Sequence, residues 1–457
     1  MNSLRQWLRS HKHWGLNLGV PAIFFALAYG VMPIATALTF DLDEGIELAK
    51  ATLLNQGYDL YDPIWSDQPP LMTLLLAAWL KLFGNHIVAA RLLILSFATG
   101  LISAFYQSLR LSVGTQFALL GTLALTLTFG FLRFSVSVMQ GIPALALAMI
   151  AVFGLLHATH PQEKSHLLPT RLELLVSGLC FGLSVQIKLY TLLLLPACLF
   201  QLVWGTKTTH WRQAIQRQGI SRIAVWLLGG VASFAALMLL NPGFSVTQLL
   251  GLHFNATTQA ALQREPSWLI LLMFLAQDLD ATLLSGVGIW RVLHHKPQLP
   301  LFPLVWLATV LVGLANYQPI WDHYYPLVAV PVVWLAVYGA SQAQFQFKQW
   351  RNLWHIASRW KVQRVEALAT GFLVFAIALA PLKLAVLGVS NHLVLQESVQ
   401  NVAVVQQIKA LQPKTHWLFT DLPIVAFYTH LNVPPELAVF STKRLKSGEL
   451  SPQILIK

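Results

Sequence analysis

The sequence predicts an all-α polytopic membrane protein with about eleven transmembrane helices, followed by a small external α/β segment. Of the 457 residues, 56% are hydrophobic and only 11% are charged, whereas a soluble domain carries about 25% charged residues. Apolar runs recur along most of the chain, and the basic residues lie in short segments between them. Both patterns are typical of a chain that crosses a bilayer many times.

The first apolar run, 16–38, follows Arg5, Arg9 and Lys12. The tripeptide at 35–37 resembles a signal-peptidase site, but a cleavable signal has an apolar core of about 7–15 residues. The longer run here predicts an uncleaved first helix.

The remaining spans follow from the other apolar runs. With the first, they are predicted at 16–38, 89–109, 114–132, 138–156, 172–188, 189–204, 223–241, 267–290, 300–316, 322–341 and 367–389. The run Pro70–Gly84 is excluded because it is shorter than the roughly 17–25 residues that a span requires. We expect it to form an interfacial or re-entrant helix instead.

The positive-inside rule orients this arrangement. With a cytoplasmic N-terminus, 17 of the 30 Lys and Arg residues fall on the cytoplasmic side. The prediction is therefore a multi-pass protein of the plasma (inner) membrane, with the lipid bilayer around it and residues 390–457 outside. The basic residues form no single face, so we expect no nucleic-acid partner. Cys180 and Cys198 lie in apolar runs, and no disulfide framework is expected.

The first external loop holds an unusual acidic cluster. Seven of the 18 carboxylates fall within 27 residues: Asp41, Asp43, Glu44, Glu47, Asp59, Asp62 and Asp67. From Glu44 the spacing is helical, and Gly57 is placed to end that helix. Asp41 is interpreted as a helix cap. Capping does not account for Asp67, which stands before a Pro-Pro pair.

The order of short motifs here resembles a known family. Asp43-Glu44, Gln68-Pro69-Pro70-Leu71, Phe83-Gly84 and Arg91 follow one another as in the C-type (GT-C) glycosyltransferases. The protein O-mannosyltransferase and lipid A aminoarabinose transferase branch, glycosyltransferase family 39, is the most similar. The resemblance covers the first seven spans best. It implies a GT-C fold and the inverting transfer of a hexose or pentose from a polyprenyl-phosphate donor to an acceptor hydroxyl outside the membrane. The acceptor would be a protein or a glycolipid.

The resemblance also implies residue roles. Asp43 matches the catalytic aspartate and is expected to be the general base. A lipid phosphate is already a tolerable leaving group, so one base suffices. Glu44 and Asp67 would orient the acceptor, tune Asp43, or hold a divalent metal if one is used; no cofactor is certain. Clustered carboxylates raise one another's pKa values, which favours a base near working pH.

The leaving phosphate requires cations or hydrogen-bond donors. The candidates are Lys188, Arg91, Arg133, His253, Arg264, His323 and Tyr324. Lys188 lies in a segment similar to a family pattern, but it could also snorkel to the interface. An aromatic belt would equally account for Tyr324. Two departures are Gln68, where some relatives have Lys, and Gln140, where many have an acidic residue.

Asp278 and Asp280 lie within the apolar run 267–290. Carboxylates inside a membrane are functional candidates. They support an alternative, a lipid-linked sugar transporter or flippase in which they couple transport; a tilted helix beside a water-filled cavity would also explain them. A catalytically inactive scaffold is a third possibility. The acidic loop has no second copy of the kind that transporter repeats would provide, which favours the enzyme.

These features divide the chain in two. Residues 1–389 would form the transmembrane domain, with 39–88 as its first external loop, and 390–457 a small external domain that could continue beyond Lys457. In the latter we predict a strand at Trp417–Thr420, a helix at Pro423–Thr429 and a turn at Val433–Pro435.

Overall fold

The computed structural model describes residues 2–159, 170–204, 219–241, 243–245, 247–249, 251, 266–294, 299–341, 360–399, 402–441, 444–445 and 448–450. The α-helices in these ranges are α1 (Asn2–Val31), α2 (Glu44–Asn55), α3 (Leu71–Phe83), α4 (Ile87–Val113), α5 (Thr115–Thr126), α6 (Phe131–Val136), α7 (Gly141–Thr159), α8 (Thr170–Ile187), α9 (Leu195–Trp204), α10 (Ile220–Leu239), α11 (Ser267–Gln277), α12 (Leu279–His294), α13 (Phe302–Ala315), α14 (Tyr325–Ala340), α15 (Trp360–Gln396), α16 (Ala403–Leu411) and α17 (Pro423–Tyr428). Short 3-10 helices add Leu189–Leu194, Asp322–Tyr324, Gln412–Lys414 and Pro435–Leu437.

The predicted multi-pass architecture is confirmed. In the described ranges, six helices are long and apolar enough to cross a membrane, and α11 with α12 gives a seventh if the bent pair is one span. Five shorter apolar helical segments accompany them, and four of these coincide with predicted spans. The fifth is α3, the predicted interfacial helix. Each of the eleven predicted spans therefore has a helical counterpart.

The helices pack closely where small residues face one another. A Cβ atom on Gly178 of α8 would lie 1.9 Å from the backbone oxygen of Trp226 in α10. The two backbones can approach this closely only because glycine has no side chain. Small residues are common at such contacts between membrane helices. The indole Nε1 of Trp226 donates to Ser177 Oγ at 3.0 Å and ties the same two helices together.

The predicted span 267–290 is not one straight helix. The axes of α11 and α12 meet at an angle of 96°, and Asp278 between them has non-helical backbone angles (φ −121°, ψ 60°). The interpretation as a single tilted helix is therefore wrong. The Asp278 side chain accepts hydrogen bonds from Phe129 N–H at 3.0 Å and from the Tyr325 hydroxyl, which hold the break in place.

The first loop folds as two helices, as the sequence predicts. Gly57 and Gly84 follow α2 and α3 with φ of +96° and +98°, the left-handed region that suits glycine at a helix end. Asp41 Oδ1 accepts the Asp43 N–H at 3.1 Å, which agrees with the predicted capping role.

The described C-terminal residues differ from the α/β expectation. Trp417–Thr420 forms no strand; Trp417 and Asn432 make one isolated parallel bridge. The chain turns at Thr420, whose Oγ1 accepts the Leu422 N–H at 3.0 Å, so the extended segment ends there. The predicted helix is confirmed as α17, and a 3-10 helix at Pro435–Leu437 overlaps the predicted turn.

This C-terminal segment packs directly on the first loop. A Cβ atom on Gly45 of α2 would lie 2.3 Å from the Ile424 backbone nitrogen in α17. The Tyr428 hydroxyl donates to the Ala37 carbonyl oxygen at 2.9 Å. The same close contacts place residues 421–441 at the edge of the site described below.

Candidate active site

A cavity of about 440 Å³ opens where the first loop, the start of α7, the turn after α8, the segment 317–324 and the C-terminal segment meet. Its polar lining residues are Asp43, Glu47, Lys50, Ser66, Asp67, Gln68, Gln140, Lys188, Tyr317, Gln318, His323, Tyr324, Asp421 and Ser441. The cavity brings together four of the predicted site residues other than Asp43: Asp67, Lys188, His323 and Tyr324.

Helix α2 presents one stripe to this cavity. Asp43, Glu47 and Lys50 are spaced i, i+4, i+7, and residues at this spacing share one helical face. Asp43 itself precedes the first turn and its side chain caps no N–H group. Its carboxylate is thus not occupied by the helix N-terminus.

The surroundings of Asp43 favour its protonated form. Burial first, and then the nearby Asp41 carboxylate, raise the Asp43 pKa from 3.8 to about 6, while the Lys188 charge opposes the shift. The Glu47 and Asp67 carboxylates have smaller effects in the same upward direction. A carboxylate with a pKa near 6 can accept a proton more readily than an ordinary Asp.

Lys188 follows the last residue of α8 and is only 7% exposed. Its Nζ lies 5.2 Å from the centre of the Tyr190 ring and 5.1 Å from that of Tyr324. No acceptor for this ammonium lies within ion-pairing distance among the described residues. Burial lowers the Lys188 pKa from 10.5 to about 8, and Asp43 is the first of several carboxylates that oppose this shift. A buried cation at a cavity wall is not a lysine that snorkels to the interface.

His323 and Tyr324 complete the wall beside Lys188. Their rings stack with centroids 5.0 Å apart, and Tyr190 makes an edge contact with Tyr324 at 5.6 Å. Tyr324 is buried, so the aromatic-belt interpretation does not describe it, although Trp321, 43% exposed, does fit a belt.

Asp67 and Gln68 enter the cavity from the segment before α3. The Gln68 carbonyl oxygen accepts hydrogen bonds from Tyr61 Oη at 2.9 Å and Ser66 Oγ at 3.1 Å. These bonds fix the backbone that presents both side chains to the cavity.

Glu44 and Arg91 do not take the places that the resemblance implied. Both are fully buried and outside the cavity lining. Arg91 Nη2 lies 3.0 Å from Glu44 Oε2, and Arg91 Nη1 donates to the Ile34 and Ala37 carbonyl oxygens at 2.8 and 2.9 Å. The Arg91 guanidinium therefore donates its hydrogen bonds to protein groups and does not face a phosphate in the cavity.

The Glu44 carboxylate likewise accepts its hydrogen bonds from protein groups. It also accepts the Val138 and Phe40 N–H groups, each at 2.8 Å. The expectation that it shares a catalytic cluster with Asp43 is not supported, because its oxygens are filled by these donors. The Glu44–Arg91 pair instead joins the end of α1, the first loop, α4 and the segment before α7.

The other predicted phosphate ligands are not in the cavity. The Arg133 guanidinium lies over the Phe134 ring, 4.8 Å from its centre, and does not contribute to the lining. Its charge lies close enough to Asp41 to oppose the rise in that residue's pKa, which burial dominates. His253 and Arg264 lie outside the described residues.

Known proteins share the fold described above. Residues 67–234 match the family described as dolichyl-phosphate-mannose-protein mannosyltransferase. The structure is similar to ArnT from Cupriavidus metallidurans bound to undecaprenyl phosphate, with a TM-score of 0.61 and 14% identity over 96% of this chain and 88% of that one. The apo state of ArnT gives a TM-score of 0.60 at 14% identity, over 93% and 86% of the two chains. The chain has the GT-C glycosyltransferase fold.

A second GT-C structure is similar at the level of the fold. The oligosaccharyltransferase AglB from Archaeoglobus fulgidus, in complex with an inhibitory peptide and a dolichol-phosphate, gives a TM-score of 0.54 at 13% identity, over 93% of this chain and 60% of that one. A search among curated proteins found no match. The predicted resemblance to the O-mannosyltransferase and ArnT branch is confirmed.

The expected metal ligands do not fit a metal within this GT-C fold. No group of three His, Cys, Asp or Glu side chains in the described ranges has the spacing to hold an ion. Glu44, one of the three expected ligands, is filled by Arg91 and backbone donors.

The sequence did not single out three cavity residues. Glu47, Lys50 and Trp65 all line the cavity, although none of them is among the predicted site residues. The spacing of Glu47 and Lys50 from Asp43 was the available signal. No local signal marks Trp65, because its place depends on the fold of the whole loop.

Asp278 and Asp280 form a buried cluster with Lys383 of α15, away from the cavity. Lys383 Nζ lies 2.6 Å from Asp278 Oδ1 and 2.7 Å from Asp280 Oδ1. The ammonium neutralises one carboxylate charge and fastens α15 to the break between α11 and α12. This arrangement predicts a structural role for the two aspartates.

Proposed function

We propose that the chain is a membrane glycosyltransferase that moves a sugar from a polyprenyl-phosphate donor to an acceptor hydroxyl, with inversion at the anomeric carbon. The observation that carries the proposal is that Asp43 and Lys188 line one cavity in a chain with the GT-C fold. The acceptor is a protein or a glycolipid, and the transferred sugar a hexose or a pentose.

Asp43 is the general base of this proposal. The Asp43 carboxylate takes the proton of the acceptor hydroxyl as the hydroxyl oxygen attacks the anomeric carbon. Its pKa of about 6 keeps the group mostly ionised at neutral pH and still basic enough to accept the proton. Because the hydroxyl attacks from the side opposite the phosphate, one displacement inverts the configuration.

Lys188 stabilises the leaving group. As the bond between the anomeric carbon and the phosphate oxygen breaks, the electron pair leaves with the polyprenyl phosphate, and the ammonium balances the developing charge. A buried ammonium with no carboxylate partner among the described residues is suited to this role, because the low dielectric strengthens its attraction for an incoming anion. His323 and Tyr324 lie beside it and offer further hydrogen-bonding groups.

The comparison structures agree with a lipid-phosphate donor. ArnT was solved with undecaprenyl phosphate and AglB with a dolichol-phosphate. The family that matches residues 67–234 is named for a dolichyl-phosphate-mannose donor. That match begins at Asp67 and does not include Asp43, so the role of Asp43 rests on the cavity and on the Asp-Glu motif. The positive-inside pattern supports an external cavity and a cytoplasmic N-terminus.

The test is Asp43→Asn, which keeps the shape of the side chain and removes its basicity. With purified protein in nanodiscs, we expect the rate of sugar transfer to fall by about 10²–10⁴-fold, while polyprenyl phosphate still binds. Asp59→Asn, at an exposed position of the same loop outside the cavity lining, is the matched control. Normal transfer by Asp43→Asn would refute the base assignment. Mass spectrometry of envelope glycans from cells that lack the protein would identify the sugar and acceptor.

The transporter alternative is less well supported. Coupling groups must change partners or protonation during transport, whereas Asp278 and Asp280 are held by Lys383 and, for Asp278, by Tyr325. No feature of the described residues favours it over the enzyme.

A further inference from the structure

The cavity wall beyond Asp43 carries a polar group of residues that the proposed reaction does not use. Lys50 Nζ donates to Glu47 Oε1 at 2.8 Å, and Gln140 Nε2 donates to the same oxygen at 3.0 Å. Glu47 and Lys50 are 6% and 2% exposed. A buried ion pair is weak evidence for stability, so its position in a cavity wall suggests another purpose.

Two polar atoms in this wall have no hydrogen-bond partner in the described part of the chain. They are Glu47 Oε2 and Trp65 Nε1, and both residues line the cavity. The carboxylate oxygen can only accept a hydrogen bond and the indole nitrogen can only donate one. A hydroxyl group does both, so a molecule with several hydroxyls is the ligand class that satisfies this wall. We name Glu47, Lys50, Gln140 and Trp65 the Glu47 cluster.

The Glu47 cluster adjoins the phosphate end of the cavity. Gln140 immediately precedes Gly141, whose carbonyl oxygen accepts the Tyr190 hydroxyl at 2.8 Å. The Tyr190 ring in turn lies 5.2 Å from Lys188 Nζ. A sugar joined to a phosphate at Lys188 would therefore lie on the side of the cavity that holds Gln140 and Glu47.

We infer that the Glu47 cluster is the subsite that recognises the hydroxyl groups of the sugar on the lipid phosphate. The inference rests on the proposed function, which supplies the phosphate at Lys188. Because Lys50 already balances the Glu47 charge, the subsite suits an uncharged sugar better than an amino sugar. Glu47 Oε2 accepts from one hydroxyl, and Trp65 Nε1 donates to a hydroxyl oxygen.

The experiment is a competition measured by native mass spectrometry on the full chain in nanodiscs. The probes are undecaprenyl phosphate alone and undecaprenyl phosphate bearing mannose, glucose, galactose or 4-amino-4-deoxyarabinose. We expect the wild type to prefer at least one uncharged sugar-linked lipid to undecaprenyl phosphate. In Glu47→Gln we expect that preference to fall by about tenfold, as for the loss of one hydrogen bond to a charged group.

Two further variants keep the test decisive. Trp65→Phe removes the indole N–H but keeps an aromatic ring, and should lower the preference by about threefold, as for a neutral hydrogen bond. Glu173→Gln is the control, since Glu173 is a buried carboxylate 3.4 Å from His157 and outside the cavity. It should leave both affinities unchanged. If Glu47→Gln also loses affinity for undecaprenyl phosphate, the preference measured for Trp65→Phe decides whether the subsite is supported.

The outcomes separate the two proposals. A wild type that binds neither lipid form would overturn the proposed function and this subsite together. A wild type that prefers a sugar-linked lipid, with the preference unchanged in Glu47→Gln and Trp65→Phe, would overturn only the subsite. A preference for the amino sugar would also contradict it. The subsite is supported if the variants lose the preference for the sugar-linked lipid while their affinity for undecaprenyl phosphate stays within twofold of wild type.

Discussion

The Asp43 carboxylate and the Lys188 ammonium line the same cavity, yet these two side chains do not form an ion pair with each other. Each charge nevertheless influences the other, since Lys188 opposes the rise in the Asp43 pKa and Asp43 opposes the fall in that of Lys188. In the proposed reaction these two groups act on the same sugar, Asp43 as the base on the acceptor side and Lys188 as the cation on the donor side.

The first prediction concerns the acidic side of the pH profile. Because the base must be ionised, kcat/KM should fall tenfold per pH unit below about 6, the Asp43 pKa. Asp41→Asn removes a neighbouring negative charge that raises this pKa, so the acidic limb should move to lower pH. The movement is partial because burial is the larger cause. A limb that stays in place would contradict the assignment of this limb to Asp43.

The second prediction concerns Lys188. Lys188→Met should weaken binding of undecaprenyl phosphate by about tenfold or more, because a hydrogen bond to a charged partner is lost. Lys188→Arg keeps the charge and should retain part of the affinity. In the wild type, binding should decline as the pH rises through about 8, where the ammonium loses its proton. Lys81→Met, outside the cavity, is the control. Unchanged phosphate affinity in Lys188→Met would exclude this role.

The third prediction separates structure from binding at Arg91. Arg91→Leu leaves the buried Glu44 carboxylate without its cation, and breaking such a pair costs about 3–5 kcal/mol. We expect a large fall in the midpoint of thermal unfolding in detergent. Adding Glu44→Gln should restore part of the stability, since the uncompensated charge is then removed. Arg110→Leu on the same helix serves as the control.

The phosphate affinity of the folded Arg91→Leu fraction is the second readout. We expect it to match the wild type, because Arg91 donates its hydrogen bonds to Glu44 and to backbone carbonyl groups. If Arg91→Leu kept normal stability but lost phosphate binding, the prediction that Arg91 binds the donor phosphate would be correct.

The fourth prediction concerns the cluster of Asp278, Asp280 and Lys383. Lys383→Met leaves two buried carboxylates without a cation and should destabilise the protein by about 3–5 kcal/mol. Asp280→Asn in the same chain should recover part of the loss, and exposed Lys409→Met should have no effect. The rate of transfer per folded molecule should be unchanged in all three. A stable Lys383→Met variant would contradict the structural role.

Much of the fold was readable from local sequence. Apolar length and the distribution of Lys and Arg predicted the spans, because a bilayer requires about twenty apolar residues per helix. The capping role of Asp41 and the helix ends at Gly57 and Gly84 also follow from local chemistry. One exception is the run 267–290, where Asp278 accepts the Phe129 N–H and binds Lys383. Those partners are distant in the chain, so periodicity could not reveal the break.

By itself, the sequence determined that this is a polytopic membrane protein with an acidic first loop, and it selected Asp43, Asp67 and Lys188. Only the tertiary structure decided which charges face the cavity. Arg91 and Glu44 satisfy each other in the interior, whereas Glu47 and Lys50 turn toward the cavity beside Asp43. The reason is physical: residue type fixes what a side chain can bind. Its partner and its desolvation depend on segments that meet only when the chain has folded.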